Sequence, residues 1–128
     1  MAVSSFASLV VPARSESVKN ARDWVAVILA DWGHDPYVGK LVVSELVTNA
    51  SKHTASVNMT VRVGRAEAWP VIEILDSSTE MPVARPLNES AEGGRGLAML
   101  AALVKDWGAQ PLETGGKAVW AILHTPTG

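Results

Sequence analysis

The chain of 128 residues contains no cysteine, which excludes disulfide bonds, thiol catalysis and cysteine-bound zinc. It also has no excess of basic residues: the formal net charge is -2, and nucleic acid is not expected as a partner. No apolar run is long enough to cross a bilayer, and the opening "MAVSSFASLVVP" lacks the basic start of a signal peptide. We therefore expect a cytoplasmic protein with no membrane contact.

Hydrophobic residues make up 48% of the chain, which is ample for a buried core. The length fits one domain spanning residues 1–128 and leaves little room for a second. Residues 77–93 have no periodicity and contain two prolines, at positions 82 and 86. A loop this long inside a small domain is usually functional or mobile.

Hydrophobic periodicity predicts the remaining elements. We expect strands over residues 4–11, 57–63, 70–75 and 118–124, helices over 18–32, 37–53 and 95–107, and leave open a short strand near 109–112. Ser15 or Ser17 is the expected cap of the first helix. This order predicts an α/β two-layer sandwich: a mixed, mostly antiparallel sheet with three helices on one face. The other face would be wet or covered by a partner subunit.

The second helix has three faces where two are usual. The sector predicted to face solvent contains Lys40, Ser44, Thr48 and Ser51. The sector predicted to face the core contains Gly39, Val43, Leu46, Val47 and Ala50. The third sector, predicted to face a polar group, contains Glu45, Asn49, Lys52 and His53. Glu45 and Asn49 are neighbours because they lie four residues apart. Ordinary solvated charge is one interpretation of such a face, and a hydrated magnesium ion with an activated hydroxyl or water is the other.

Two further features have both a structural and a functional interpretation. Asp76 ends an apolar strand, where it either forms a turn or accepts a hydrogen bond from a ligand amine. The segment "EGGRGLAML" either joins a loop to a helix or binds phosphate through backbone N–H groups, with Arg95 adding charge. The segment is neither a P-loop nor a Rossmann fingerprint.

Taken in order, these segments resemble the GHKL ATPases, the superfamily of gyrase, the heat-shock chaperone, sensor histidine kinases and the mismatch-repair protein. "ELVTNASKH" is similar to the N-box of that superfamily, "VIEILDSS" to its adenine-binding box, "GGRGLAML" to its glycine-rich box, and "GGKAVWAIL" to its final strand. The opening "VPARSESVKNARDWV" and the short length are most similar to the free-standing anti-sigma-factor serine kinases of bacteria.

The resemblance implies a role for each matching residue. Glu45 would be the catalytic base for a serine or threonine hydroxyl, and Asn49 would coordinate Mg²⁺ on the phosphates of ATP. Asp76 would bind the adenine amino group, and residues 77–93 would be the lid over the nucleotide. The remaining nucleotide-binding positions would be Lys52, His53, Ser78, Gly94, Arg95, Gly96 and Leu97. The partners implied are a sigma factor, a STAS-type anti-anti-sigma protein as substrate, and a second copy of the chain in a homodimer.

The chain departs from the family pattern at two positions. Ser78 stands where the family has glycine after the strand, and Ala118 stands where the last strand carries a threonine at the adenine site. Both departures favour an alternative: a non-catalytic regulatory module that keeps the fold with weak nucleotide binding or none.

Two other interpretations are disfavoured. A sensor histidine-kinase fragment lacks support because no phospho-acceptor helix pair is recognisable. His34, His53 and His124 are too scattered in the sequence to indicate a zinc site.

Overall fold

The computed structural model describes residues 4–53, 57–78 and 95–124, with the side chains of 4, 5, 53 and 95–97 left aside. In chain order the elements are β1 (Ser4–Pro12), α1 (Ser17–Asp31), α2 (Tyr37–His53), β2 (Asn58–Ala66), β3 (Trp69–Asp76), α3 (Arg95–Leu103), β4 (Asp106–Pro111) and β5 (Lys117–Ile122). Most of the predicted lid, residues 79–93, lies outside this description.

The five strands form one sheet in the order β1-β2-β3-β5-β4. Each of the four neighbouring pairs is antiparallel, so the α/β two-layer class is confirmed while the expected parallel component is absent from the described strands. The β4–β5 hairpin accounts for this arrangement. It brings β5 alongside β3 in the antiparallel direction, and β4 then lies at the sheet edge.

The core lies between the three helices and one face of the sheet. Alternate residues of β2 point into it (Met59, Val61 and Val63), since successive side chains of a strand face opposite sides. From α1, Ala21, Val25 and Leu29 recur at four-residue spacing and are fully buried. Burying one such Val or Leu side chain stabilises the fold by about 1.5–3 kcal/mol. Among the described helices, none is both long and apolar enough to span a membrane.

The start of α1 differs from the expectation that Ser15 or Ser17 caps it. The N-cap is Glu16, which makes no side-chain capping hydrogen bond. Ser17 is instead the first helical residue, and its hydroxyl donates to the carbonyl oxygen of Pro12 at 2.6 Å. Ser17 therefore ties the helix to the end of β1.

The predicted end of the third helix is also wrong, because α3 ends at Leu103 rather than just before Gly108. The backbone N–H of Lys105 donates to the carbonyl oxygen of Ile122, and β4 begins at Asp106. The apolar residues Val104 and Trp107 fit a helix or a strand equally well in sequence. Pairing with β5 decides in favour of the strand. The short strand left undecided near residues 109–112 is therefore the six-residue β4.

The second face of the sheet carries side chains that are aligned across the strands. Arg62, Glu73 and Trp120 lie in register on β2, β3 and β5. The Arg62 guanidinium lies 3.1 Å from the Glu73 carboxylate and 3.7 Å from the ring centre of Phe6. Burial raises the pKa of Glu73 above its usual value of 4.5, and the charge of Arg62 opposes that rise.

Candidate functional site

Helix α2 exposes a different sector from the one predicted. Lys40, Ser44, Thr48 and Ser51 are half-buried rather than solvent-facing. Two of their hydroxyls are satisfied within the helix, because Ser44 donates to the Lys40 carbonyl at 2.7 Å and Ser51 to that of Thr48 at 2.8 Å. The residues that are exposed on this helix are Tyr37, Leu41, Glu45 and Lys52. Two residues of the predicted polar sector, Glu45 and Lys52, are thus open to solvent.

Glu45 lies at the edge of a small groove between α2 and α3. The groove has a volume of about 80 Å³, and its lining is Leu41, Val42, Ser44, Glu45, Met99, Leu100 and Leu103. Glu45 is exposed, so its carboxylate needs no covering partner within the chain. A single carboxylate at the rim of an apolar groove can accept a proton from a group that enters from outside.

Asn49 follows Glu45 by one helical turn and is half-buried. Lys52 is exposed near the end of α2, and His53 is its last residue. The helix therefore presents Glu45 and Asn49 along one side, as their spacing predicts.

Asp76 is the last residue of β3, and its carboxylate is completely buried. The oxygen Oδ1 accepts two hydrogen bonds, from the backbone N–H of Ser78 at 2.8 Å and from Nζ of Lys117 at 3.0 Å. The other oxygen, Oδ2, is also buried and has no hydrogen-bond partner among the described residues. A buried carboxylate oxygen without a donor costs free energy, so it points to a missing donor.

Lys117, the first residue of β5, was not singled out in the sequence. It pairs directly with Asp76 across the strands, and only 2% of its side chain is exposed. Lysine is almost never fully buried unless it is paired, so this ion pair is a built feature of the strand ends.

The turn before Lys117 holds this pair in register. Gly116 has φ +83°, a conformation that L side chains rarely adopt. A Cβ atom at Gly116 would overlap the carbonyl oxygen of Asp76. Glycine is therefore required for β5 to approach the end of β3 this closely.

Ala118, predicted to occupy the adenine-contacting position of the last strand, does not lie on the same face as Asp76. Ala118 pairs with Leu75, so it lies on the opposite face of the sheet from Asp76. Lys117 is the residue on the Asp76 face. Period-two alternation, counted from the partner of Asp76 rather than from the glycine motif, would have identified it.

Ser78, the second departure from the family pattern, does not disturb the carboxylate. Its backbone N–H donates to Asp76 Oδ1 in a local turn of the kind that Asp commonly forms. Its backbone is not in the positive-φ region, so a glycine is not needed at this position. Ser78 thus helps to fix the orientation of Asp76.

The glycine-rich segment is described only in part. Helix α3 begins at Arg95, and Gly96 and Leu97 belong to its first turn. Gly94 and the side chains of 95–97 lie outside the description, so phosphate binding by this segment stays a prediction. Further along α3, Leu100 lines the same groove as Glu45, which brings the helix beside α2.

The histidines are less scattered in space than in sequence. His34 and His124 line one cleft of about 260 Å³, together with Asp35, Val38, Pro70, Leu103 and Leu123. In the described ranges, no group of three or more His, Asp or Glu residues could hold a metal ion. Pro70 and Leu123 place this cleft at the end of the sheet away from Asp76.

A model of the histidine kinase-like ATPase domain matches residues 11–123, which is most of the chain. The chain belongs to this family. None of the curated proteins matches the chain at a significant level. The match includes α2, the end of β3 at Asp76, α3 and β5, so all the elements that carry the predicted site residues belong to the family domain.

Domains of this family bind ATP, typically with Mg²⁺, and the described residues fit both. The unpaired Oδ2 of Asp76 is an acceptor suited to the adenine amino group. Magnesium keeps most of its waters and needs only one or two protein oxygens. The side-chain carbonyl of Asn49 would provide one such oxygen.

Proposed function

We propose that this ATPase-family domain is a serine/threonine protein kinase that acts as an anti-sigma factor. Its substrate would be a STAS-type anti-anti-sigma protein, phosphorylated on a serine or threonine. The observation that carries this proposal is the exposed carboxylate of Glu45, one turn before Asn49, at the rim of the α2–α3 groove. A hydroxyl on a folded protein substrate can reach an exposed base, whereas it cannot reach a buried one.

Each residue has a defined part in this function. Asp76 accepts a hydrogen bond from the base of ATP and so fixes the nucleotide at the end of β3. Asn49 holds Mg²⁺, which neutralises charge on the phosphates when it is bound. Glu45 orients the substrate hydroxyl and takes its proton. Phosphoryl transfer depends mainly on positioning and charge neutralisation, so these groups suffice in kind.

The phosphates are assigned to the start of α3 and the end of α2. The residues proposed to contact them are Lys52, His53, Gly94, Arg95, Gly96 and Leu97. A helix N-terminus stabilises phosphate because its backbone N–H groups are unpaired and its dipole is positive there. A homodimer in the cytoplasm, bound to a sigma factor, completes the proposal.

One observation favours a second candidate, a regulatory module that does not turn over ATP. Lys117 already donates a hydrogen bond to Oδ1 of Asp76. An ion pair that occupies the place proposed for adenine would weaken nucleotide binding. Calorimetric titration with ATP and Mg²⁺ separates the two candidates. Binding heat and a raised melting temperature support the kinase, and their absence from a folded chain supports the module.

The kinase proposal is tested by incubating the chain with Mg-ATP and STAS proteins encoded near its gene, with phosphorylated residues identified by mass spectrometry. For Glu45→Gln we expect unchanged ATP affinity and transfer reduced by about 10²-fold or more, in line with the loss of a general base. Glu16→Gln is the matched control, because Glu16 is exposed and makes no side-chain capping bond on α1. Equal transfer by wild type and Glu45→Gln would remove Glu45 from the catalytic role.

A further inference from the structure

The buried ion pair of Asp76 and Lys117 offers both a hydrogen-bond acceptor and a hydrogen-bond donor that the pair itself does not use. Asp76 Oδ2 is an acceptor with no donor among the described residues. The Lys117 ammonium has three N–H donors, and within the described residues its one partner is Asp76 Oδ1. A half-satisfied buried network calls for a ligand that offers a donor and an acceptor side by side.

We propose that Lys117 is a specificity-determining residue that donates a hydrogen bond to N1 of adenine while Asp76 Oδ2 accepts one from the N6 amino group. The Watson–Crick edge of adenine carries these two groups next to each other, an amino donor and a ring-nitrogen acceptor. Asp76 and Lys117 present the complementary acceptor and donor, and they are held 3.0 Å apart. The inference rests on the proposed function only for the binding of ATP.

The geometry of the pair supports this role over a purely structural one. Two donors, Ser78 N–H and Lys117 Nζ, converge on Oδ1 and fix the carboxylate plane, which leaves Oδ2 as the free acceptor. The pair as a whole is neutral, so a neutral base can bind beside it without leaving an uncompensated charge. Gly116 holds the backbone of β5 against that of Asp76, so the two side chains cannot easily move apart.

Guanine offers the reverse order on its edge, an acceptor at O6 and a donor at N1. The pair could satisfy that edge only with Lys117 at O6 and Asp76 at N1, a shift of the base along the strand ends. We commit to adenine because the family to which the chain belongs is an ATPase family. Binding of GTP as tight as that of ATP would overturn the assignment.

The test compares binding of ATP with that of 1-deaza-ATP, in which N1 is replaced by C–H, to the full wild-type chain by calorimetry. We expect 1-deaza-ATP to bind about 10-fold to 100-fold more weakly, the range for losing a hydrogen bond to a charged group. 7-Deaza-ATP, altered away from the Watson–Crick edge, should keep the affinity of ATP within about threefold. Equal affinity for ATP and 1-deaza-ATP would overturn the role of Lys117 while leaving the kinase proposal intact.

A variant then assigns the effect to the side chain. In Lys117→Met the ratio of the two affinities should fall to about one, because the donor is gone. Lys105→Met is the matched control, since Lys105 lies over Trp69 at the other end of β5, and it should keep the wild-type ratio. The wild-type comparison stands even if Lys117→Met fails to fold.

Failure of the inference and failure of the proposed function give different results. A folded wild-type chain that binds neither nucleotide would overturn the proposed function and this inference together. If the wild-type chain binds neither nucleotide but Lys117→Met binds ATP, then Lys117 occupies the place of adenine. That result would overturn the proposal that Lys117 donates a hydrogen bond to adenine N1.

Discussion

Strand β3 forms one ion pair on each face of the sheet, and the two pairs differ in how completely they are satisfied. Glu73 pairs with Arg62 at 3.1 Å on the face without helices, where the Arg62 side chain is 29% exposed and also packs on Phe6. Asp76 pairs with Lys117 at 3.0 Å on the helix face, where both side chains are 2% exposed or less. Both pairs join residues directly opposite each other in register.

The two pairs therefore differ in whether their buried polar atoms all have hydrogen-bond partners. The Arg62 guanidinium packs on the Phe6 ring and is partly exposed, and no atom of this pair is buried without a hydrogen-bond partner, so the pair needs no ligand. In the helix-face pair, Asp76 Oδ2 is buried and has no hydrogen-bond partner among the residues that the structure describes, which is costly for stability unless another donor supplies one. Perturbation of the two pairs should therefore give effects of different size and kind.

The largest effect is expected from removing one charge of the buried pair. Lys117→Met should lower the free energy of unfolding by about 3–5 kcal/mol, because it leaves the Asp76 carboxylate buried without its partner. Urea unfolding followed by tryptophan fluorescence measures this loss. The double variant Asp76→Asn with Lys117→Met should recover most of it, and a loss below about 1 kcal/mol in the single variant would contradict the burial of the pair.

The next effect concerns the turn that holds the pair together. Gly116→Ala should destabilise by about 2–4 kcal/mol, since it adds left-handed strain and an overlap with the Asp76 carbonyl oxygen. Gly115→Ala is the matched control, with φ +91° but open space around the added Cβ, and should lose only about 1–2 kcal/mol. Equal losses in the two variants would mean that close strand packing is not what requires Gly116.

A smaller effect is expected on the face of the sheet without helices. Arg62→Met removes the ion pair to Glu73 and the contact with the Phe6 ring, and should cost about 1–2 kcal/mol in urea unfolding. It should leave the affinity for ATP unchanged, because Arg62 lies on the face away from Asp76. A change in affinity comparable to that of Lys117→Met would erase the distinction between the pairs.

The smallest effect is a pH dependence caused by Glu73. Burial raises the pKa of Glu73 in the folded state above 4.5, so the folded chain binds this proton more tightly than the unfolded chain. Its contribution to stability is therefore fully present below pH 4.5 and falls as the pH rises through the folded-state pKa. The difference in unfolding free energy between wild type and Glu73→Gln, measured at several pH values, should decrease over that window. An increase would reverse the assigned cause.

The sequence predicted the elements well where one periodicity dominates. The bounds of α2 agree with the expectation, and the alternation in β2 correctly indicated a half-buried strand. The end of α3 was predicted wrongly because Val104 and Trp107 fit either a helix or a strand, and only pairing with β5 decides. The solvent sector of α2 was misplaced because serine and threonine hydroxyls bonded within the helix can be half-buried.

The site was predictable only as far as residue types and their order allow. Asp76 and Glu45 could be proposed from their positions along the chain. Lys117 could not be proposed in this way, because its position beside Asp76 depends on the register between β3 and β5. The turn at Gly115 and Gly116 sets that register. A shift of one residue places Ala118 at the site instead, and period-two geometry then reverses every face.

The central claim is that Asp76 Oδ2 accepts a hydrogen bond from the adenine amino group. Its most direct test is calorimetric titration of the wild-type chain, in Mg²⁺, with ATP and with purine riboside triphosphate, which lacks only that amino group. The account predicts that ATP binds and that the analogue binds about 10-fold to 100-fold more weakly, as expected for losing a hydrogen bond to a carboxylate. Equal affinities for the two nucleotides would contradict it.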